Sequence, residues 1–138
     1  MREAVIVSTA RTPLAKSHRG EFNVTPGAQL AAYSITAAVQ RAGIDPALIE
    51  DVVLGCGYPE GTTGRNIGRQ AAIRAGLPVS VGGTVVNRFC ASGLQAIAIA
   101  AGRIIVDGAP AMVAGGVESI SLIRSSNSSP ADADPWLV

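Results

Sequence analysis

The sequence predicts an α/β fold built on a mainly parallel β-sheet, and two observations lead to that prediction. Short runs rich in β-branched residues alternate with longer segments in which apolar residues recur at helical spacing. The elements follow one another as strand, helix, strand, helix, strand, helix and strand, which favours right-handed crossovers between parallel strands. A chain of 138 residues has the size of one domain.

The first strand and the first helix are expected in the N-terminal third of the chain. Residues 4–9 form a β-branched run typical of a strand, and a polar connection follows it. Thr25 is the expected N-cap of a helix whose first position is Pro26. That helix is expected to extend to about Ala42 and to stop at Gly43, before a further short helical turn.

The remaining elements continue the same alternation. Three further strands are expected at residues 51–56, 83–89 and 111–119. A helix that ends at Gly76 is expected between the first two of these strands, and a helix over residues 91–107 between the last two. The tail is rich in Ser, Asp and Pro, which indicates a loop.

The predicted helix over residues 91–107 is apolar on nearly every side. Leu94, Ile97 and Ile104 lie on one side, and Ala96 and Ile99 cover much of the rest. Such a helix is normally buried all round, whereas one four-stranded sheet covers a single side. The first two helices, a dimer mate or protein outside this sequence could cover the other side.

Composition excludes several classes of partner and site. The net charge is +1 and no Lys/Arg cluster occurs, so neither nucleic acid nor a membrane is expected as a partner. No apolar run reaches the roughly 18 residues of a membrane span. Two cysteines and one histidine build neither a disulfide framework nor a closed zinc site, so no metal is expected. The N-terminus lacks a secretory h-region, which favours a cytoplasmic location.

Cys90 is the candidate nucleophile because it stands where a parallel strand ends and a helix begins. Free N–H groups at a helix N-terminus favour a thiolate and an oxyanion. The helix dipole contributes only about 0.3–1 kcal/mol, so a separate base is needed. The alternative is a small residue of the core. Cys56 stands among glycines with no helix directly after it, and we expect it to serve packing.

Four segments resemble the thiolase family. VNRFCASGLQA, with Cys90, resembles the family's active-site segment, and VSTARTPLAKSHRGEF resembles its opening strand and loop. DVVLGCGYPEGTTGRNIGRQAAIRAGLP resembles its second strand, loop and helix, and VAGGVESIS its G-G-x-E-S-M-S motif. The resemblance implies α-β-α-β-α layers, of which this chain gives one mainly parallel sheet with its helices. It also implies an N-terminal domain at residues 1–119 and the start of a loop or lid region at residues 120–138.

The resemblance also implies an activity. Thiolases cleave 3-ketoacyl-CoA with CoA, or condense two acyl-CoAs, as in fatty acid metabolism. In this family the cysteine at the position of Cys90 carries the acyl group as a thioester, and its backbone N–H is one oxyanion donor. CoA thioesters are substrates, so no separate cofactor is implied. The partners implied are acyl-CoA, CoA and further copies of the chain in a dimer or tetramer.

Three family motifs are missing from this sequence: N-E-A-F, G-H-P and C-x-G-G-G-x-G. His18 lies between Ser and Arg, and we expect a solvated loop residue there, not the catalytic base. The chain is therefore expected to be the first third of a longer enzyme and to lack a full active site alone. Two alternatives stay open: a non-catalytic half that only dimerises, and a small redox or binding protein that uses Cys56 and Cys90.

The sequence also indicates roles for three further polar residues. Glu118 follows the last predicted strand, where it could act as a carboxylate base or fix the turn after the strand, and we favour the turn. Asn87 and Arg88 flank Cys90 and are expected to form a hydrogen-bonding scaffold.

Overall fold

In the computed structural model, residues 2–123 are described, and they alternate between helices and parallel strands. The helices and strands, in chain order, are α1 (Gly27–Ala42), β1 (Ile49–Gly55), α2 (Ile67–Arg74), β2 (Gly82–Val86), α3 (Ser92–Gly102) and β3 (Ala111–Gly116). The predicted α/β class is therefore confirmed. The predicted tail loop and most of the predicted loop or lid region lie outside the described residues.

The three strands form one parallel sheet in the order β2-β1-β3. In the middle of β1, Val53 is in register with Thr84 on one side and Ala114 on the other. The chain moves from β1 outward to β2 and then crosses to the opposite side of β1 to form β3. Right-handed crossovers in opposite directions place α2 and α3 on opposite faces of the sheet.

The predicted strand at residues 4–9 is wrong, because within residues 2–123 this run pairs with no strand. Its apolar side chains Val5, Ile6 and Val7 are 71%, 75% and 69% exposed. A β-branched run becomes a strand only where a neighbouring backbone is available to pair with it. Residues 4–17 instead line a cavity whose lining also includes residues of β3, and they add no strand to the sheet.

The main core lies between the sheet and the pair α1 and α2. Alternate residues of β1 point to this face, so Val52 and Leu54 join Ile35 of α1 and Ile67 of α2 in one buried cluster. Cys56, two residues beyond Leu54, belongs to the same cluster and is 1% exposed. The expected packing role of Cys56 is confirmed.

The opposite face of the sheet carries α3, which approaches the end of β1 very closely. A Cβ atom added at Gly55 would lie 2.3 Å from the carbonyl carbon of Ser92, so only glycine fits at that position. From this contact onward α3 buries Ser92, Ala96 and Ala100, which recur at a spacing of four and so share one face of the helix.

The far side of α3 is uncovered within the described part of the chain. Leu94 and Ile97 are 73% and 42% exposed, and α1 and α2 pack on the other face of the sheet. The first two helices therefore do not cover this side. By length and composition alone, the 19-residue helical segment Phe89–Asp107 could cross a membrane, since an 18-residue window in it has a mean hydropathy of 1.7. The expectation that no segment is long and apolar enough is therefore wrong, although core helices meet the same two criteria.

The helix ends follow the sequence closely, with one difference. The N-cap of α1 is Pro26 and not Thr25, and the N–H of Gly27 donates to Oγ1 of Thr62 at 3.3 Å. The helix stops as predicted at Gly43, which has a φ of +64°. After α3 a π-helical turn, Arg103–Asp107, completes the segment predicted as a helix.

Candidate active site

Polar groups of residues that follow the three strands meet at the carboxyl edge of the sheet. Gly57 follows β1, Asn87 follows β2 and Glu118 follows β3. The Nδ2 group of Asn87 donates to the carbonyl of Gly57 at 3.1 Å, and the N–H of Gly57 donates to Oε2 of Glu118 at 2.8 Å. The strand order reverses beside β1, and such switch points are where open α/β sheets bind ligands.

Cys90 lies in a 3-10 turn, Phe89–Ala91, that leads directly into α3. Its side chain is exposed, and it lines a cavity of about 960 Å³ between the N-terminal segment, α1, α3 and β3. The alternative of a core residue is therefore wrong for Cys90. The thiol is open to a ligand that enters from solvent.

The residue before the thiol, Phe89, has an unusual backbone conformation. Its φ is +49°, in the left-handed region, which costs a non-glycine residue about 1–2 kcal/mol. Hydrogen bonds hold both of its peptide groups: its N–H donates to Oδ1 of Asn87 at 2.8 Å, and its carbonyl accepts from Oγ of Ser92 at 2.6 Å. The phenyl ring is 71% exposed, so these hydrogen bonds, more than packing, hold the turn.

The same arrangement directs the backbone N–H of Cys90. This N–H and the carbonyl of Phe89 belong to one trans peptide and point to opposite sides of it. Ser92 occupies the carbonyl, whereas the Cys90 N–H has no hydrogen-bond acceptor among residues 2–123. A free N–H next to a thiol at a helix N-terminus can stabilise negative charge on a bound acyl oxygen.

The predicted scaffold role of Asn87 and Arg88 is confirmed. Asn87 connects the loop after β1 with the N–H of Phe89. The N–H of Arg88 donates to Oγ of Ser92 at 2.8 Å, and its Nη1 donates to Oε1 of Gln95, also at 2.8 Å. The side chains on both sides of the turn therefore support its shape.

Glu118 fixes a turn, as favoured from the sequence, but it is the turn after β1 and not the one after its own strand. Its carboxylate accepts from the N–H of Gly57 at 2.8 Å and from the N–H of Tyr58 at 3.1 Å. It also accepts from the thiol of Cys56 at 3.4 Å. Three donors occupy its oxygens, which leaves the carboxylate poorly placed to act as a general base.

Cys56 has an environment unlike that of Cys90. Burial raises the pKa of the Cys56 thiol to about 11, and the negative charge of Glu118 adds to the effect, while a hydrogen bond with Thr63 opposes it. At neutral pH this thiol is protonated, and a protonated thiol is a poor nucleophile. Cys56 also does not line the cavity that Cys90 faces.

The single histidine does not join the site. His18 is exposed in the N-terminal segment, where its backbone N–H donates to Oγ of Ser121 at 2.9 Å. It is absent from the lining of the cavity, as expected for a loop histidine. Among residues 2–123, no group of three His, Cys, Asp or Glu side chains could hold a metal ion.

Comparison with known proteins gives one family. Residues 4–133 match the family model described as the thiolase N-terminal domain. The 3-ketoacyl-CoA thiolase of Bacillus subtilis (strain 168) is 42% identical over 123 residues, which make up 89% of this chain and 32% of that protein. The acetyl-CoA acetyltransferase of Paracoccus denitrificans is 43% identical over 122 residues, 88% of this chain and 31% of that protein.

A third relative is named for a different substrate. The 3-oxoadipyl-CoA/3-oxo-5,6-dehydrosuberyl-CoA thiolase of Escherichia coli (strain K12) is 41% identical over 122 residues, 88% of this chain and 30% of that protein. The chain thus spans about a third of the length of the curated relatives it matches.

Proposed function

Because this chain belongs to the thiolase family, whose N-terminal domain it matches, we propose that it supplies the nucleophile of an acyl-CoA acyltransferase. In thiolysis the thiolate of Cys90 attacks the 3-keto carbon of a 3-ketoacyl-CoA. The bond between carbons 2 and 3 breaks, its electron pair leaves with acetyl-CoA, and that carbon takes up a proton. The acyl group stays on Cys90 as a thioester until CoA removes it. Condensation of two acyl-CoAs is the reverse.

The observation that carries this proposal is the exposed Cys90 thiol beside a backbone N–H that no acceptor among residues 2–123 occupies. The carbonyl under attack gains negative charge on its oxygen, and a fixed N–H stabilises that charge more in the transition state than in the ground state. Cys56 lacks both features, since its side chain is buried and its backbone N–H donates to the carbonyl of Val86 at 3.0 Å.

The proposal requires a proton acceptor for Cys90. The start of α3 lowers the free energy of a thiolate by only about 0.3–1 kcal/mol, so the helix does not replace a separate base. His18 does not line the cavity, and Glu118 is held by three donors. We place the acceptor in polypeptide beyond these residues, in the remaining two thirds that the relatives possess.

The partners of the proposed enzyme are acyl-CoA and CoA, as the printed names of the relatives suggest for those proteins. A dimer or tetramer, a cytoplasmic location and a role in fatty acid metabolism stay predictions. The absence of a membrane partner also stays a prediction, and the family relationship makes α3 better explained as an interior helix than as a membrane span.

The test uses residues 1–138 in two forms. One is the chain alone, and the other is a chimera in which it replaces the matching third of the Bacillus subtilis thiolase. Each is incubated with acetyl-CoA, and the acetylated residue is located by mass spectrometry. We expect an acetyl group on Cys90 in the chimera, none after Cys90→Ala, and unchanged uptake in the matched control Cys56→Ala.

The outcomes separate the alternatives. Thioester formation at Cys90 supports the acyltransferase. A folded chimera that takes no acetyl group favours a non-catalytic half that only dimerises. A reversible disulfide between the two cysteines would favour a redox protein, although the burial of Cys56 argues against that pairing.

A further inference from the structure

We infer that Glu118 is a positioning residue for Cys90, acting through a chain of hydrogen bonds that crosses the carboxyl edge of the sheet. This inference rests on the proposed function for its chemical meaning, while the hydrogen bonds themselves are independent of it. Glu118 is a strand-end carboxylate that the acyl-transfer steps do not use.

The first part of the chain of hydrogen bonds joins the strand ends of β3 and β1. Oε2 of Glu118 accepts from the N–H of Gly57 at 2.8 Å, and Oε1 accepts from the N–H of Tyr58 at 3.1 Å. A carboxylate that accepts two backbone N–H groups makes charge-assisted bonds, which are stronger than neutral ones. Glu118 therefore fixes the orientation of the peptide groups on both sides of Gly57.

The second part joins β1 with the turn that carries the thiol. The carbonyl of Gly57 accepts from Nδ2 of Asn87 at 3.1 Å, and Oδ1 of the same amide accepts from the N–H of Phe89 at 2.8 Å. Each group in this series fixes the next one. The series ends one residue before Cys90, at the residue whose φ is +49°.

The third step concerns the space around these groups. A Cβ atom added at Gly57 would lie 3.0 Å from Oε2 of Glu118 and 3.4 Å from the carbonyl oxygen of Phe89. The carboxylate, the glycine and the turn are therefore in close contact as well as hydrogen-bonded. A shift of the carboxylate would therefore move Gly57, and through Asn87 it would also affect the position of Phe89.

The role proposed for Glu118 follows from the strain at Phe89. A left-handed φ at a non-glycine residue persists only where its surroundings enforce it. The φ and ψ angles of Phe89 together set the orientation of the next peptide, which contains the Cys90 N–H, and so set the direction of the oxyanion donor. Loss of Glu118 is expected to let that peptide rotate. The Cys90 N–H would then no longer point to the oxygen of the acyl group that the thiol attacks.

The test compares Glu118→Ala and the more conservative Glu118→Gln, which keeps one acceptor oxygen, with the matched control Glu60→Ala. Glu60 lies in the loop after β1, which also contains Gly57 and Tyr58, and its side chain makes no cap hydrogen bond. Amide exchange at Phe89, followed by NMR in the 138-residue chain, is expected to rise about fivefold in Glu118→Ala and less in Glu118→Gln. Exchange at Val39 in the core should stay unchanged, which separates a local effect from lower global stability.

A second measurement connects the inference with chemistry. In the chimera, acetyl transfer to Cys90 is expected to fall about tenfold in Glu118→Ala, and to fall no further when Asn87→Ala is added to it. Unchanged exchange at Phe89 in Glu118→Ala would overturn the inference, whatever the acetylation result. Faster exchange in the 138-residue chain, together with a chimera that never takes an acetyl group, would leave the positioning intact and refute the proposed function.

Discussion

The two cysteines show how one side chain acquires opposite chemistry from its surroundings. Cys56 continues a central strand into the core, where its thiol donates to Glu118 and has a pKa of about 11. Cys90 lies just beyond an edge strand of the sheet, in a turn that is open to solvent. Sequence position alone separated them, since only Cys90 precedes a helix.

The first prediction concerns the reactivity of the two thiols. At pH 7 iodoacetamide should modify Cys90 first, because a pKa of about 11 gives Cys56 about a hundredfold less thiolate than its ordinary value of 9.0 would. Burial slows Cys56 further. Peptide mapping of the alkylated chain over time measures both rates, and faster modification of Cys56 would contradict the assignment.

The second prediction is a loss of stability in alkali. The Cys56 thiol has an ordinary pKa of 9.0 when unfolded and of about 11 when folded, so between these values the folded state binds more protons. Stability from this source is complete below pH 9 and is lost as the pH rises toward 11. Urea unfolding at a series of pH values should show a decline that is weaker in Cys56→Ala. Equal slopes in the two proteins would exclude the thiol as the cause.

The partners of Glu118 illustrate what residue-level sequence reasoning misses. The sequence predicts a polar residue that fixes the turn after its own strand, and only the turn-fixing role is confirmed. It does not reveal that the turn belongs to another strand, since Gly57 and Glu118 are 61 positions apart. Only the parallel order of the sheet brings the ends of β1 and β3 together.

At the scale of elements, the helices were predictable because their signals are local. Asn66 caps α2 by accepting from the N–H of Arg69 at 3.0 Å, and Gly43 ends α1 with a φ of +64°. The strand predicted at residues 4–9 failed because pairing depends on distant backbone, which the run itself does not encode. The π-helical turn Arg103–Asp107 had no recognisable signal in the sequence.

The third prediction concerns the close approach of α3 to β1. Gly55→Ala should destabilise the chain by about 1–3 kcal/mol, because its Cβ would lie 2.3 Å from the carbonyl carbon of Ser92 and 2.4 Å from its oxygen. The resulting shift of α3 should also move the turn that holds Cys90. Urea unfolding measures the stability, and acetyl uptake by the chimera measures the effect on Cys90.

Gly102→Ala is the matched control for that substitution. Gly102 lies at the end of the same helix, has a φ of −58°, and has nothing within 4 Å of an added Cβ. Alanine there should leave stability unchanged or raise it by up to about 1 kcal/mol. If both alanine variants lost the same stability, crowding at Gly55 would not be the explanation.

At the scale of the whole molecule, α3 has one covered face and one uncovered face in the described residues. The sheet covers Ser92, Ala96 and Ala100, while Leu94 remains 73% exposed. The sequence predicted this imbalance from the apolar residues all around the helix. That a second sheet covers the open face in a complete fold stays a prediction, and it agrees with a chain that spans about a third of its relatives.

The last prediction follows from the lack of a proton acceptor for Cys90 among the described residues. The 138-residue chain alone should show no steady thiolysis of acetoacetyl-CoA, because its one histidine, His18, lies outside the cavity that Cys90 faces. The chimera with the remaining two thirds of the Bacillus subtilis thiolase should regain turnover, and Cys90→Ala in that chimera should abolish it. His18→Ala is the matched control and should leave the rate of the chimera unchanged. Release of acetyl-CoA by the isolated chain at a steady rate would show that the proton acceptor lies within these residues.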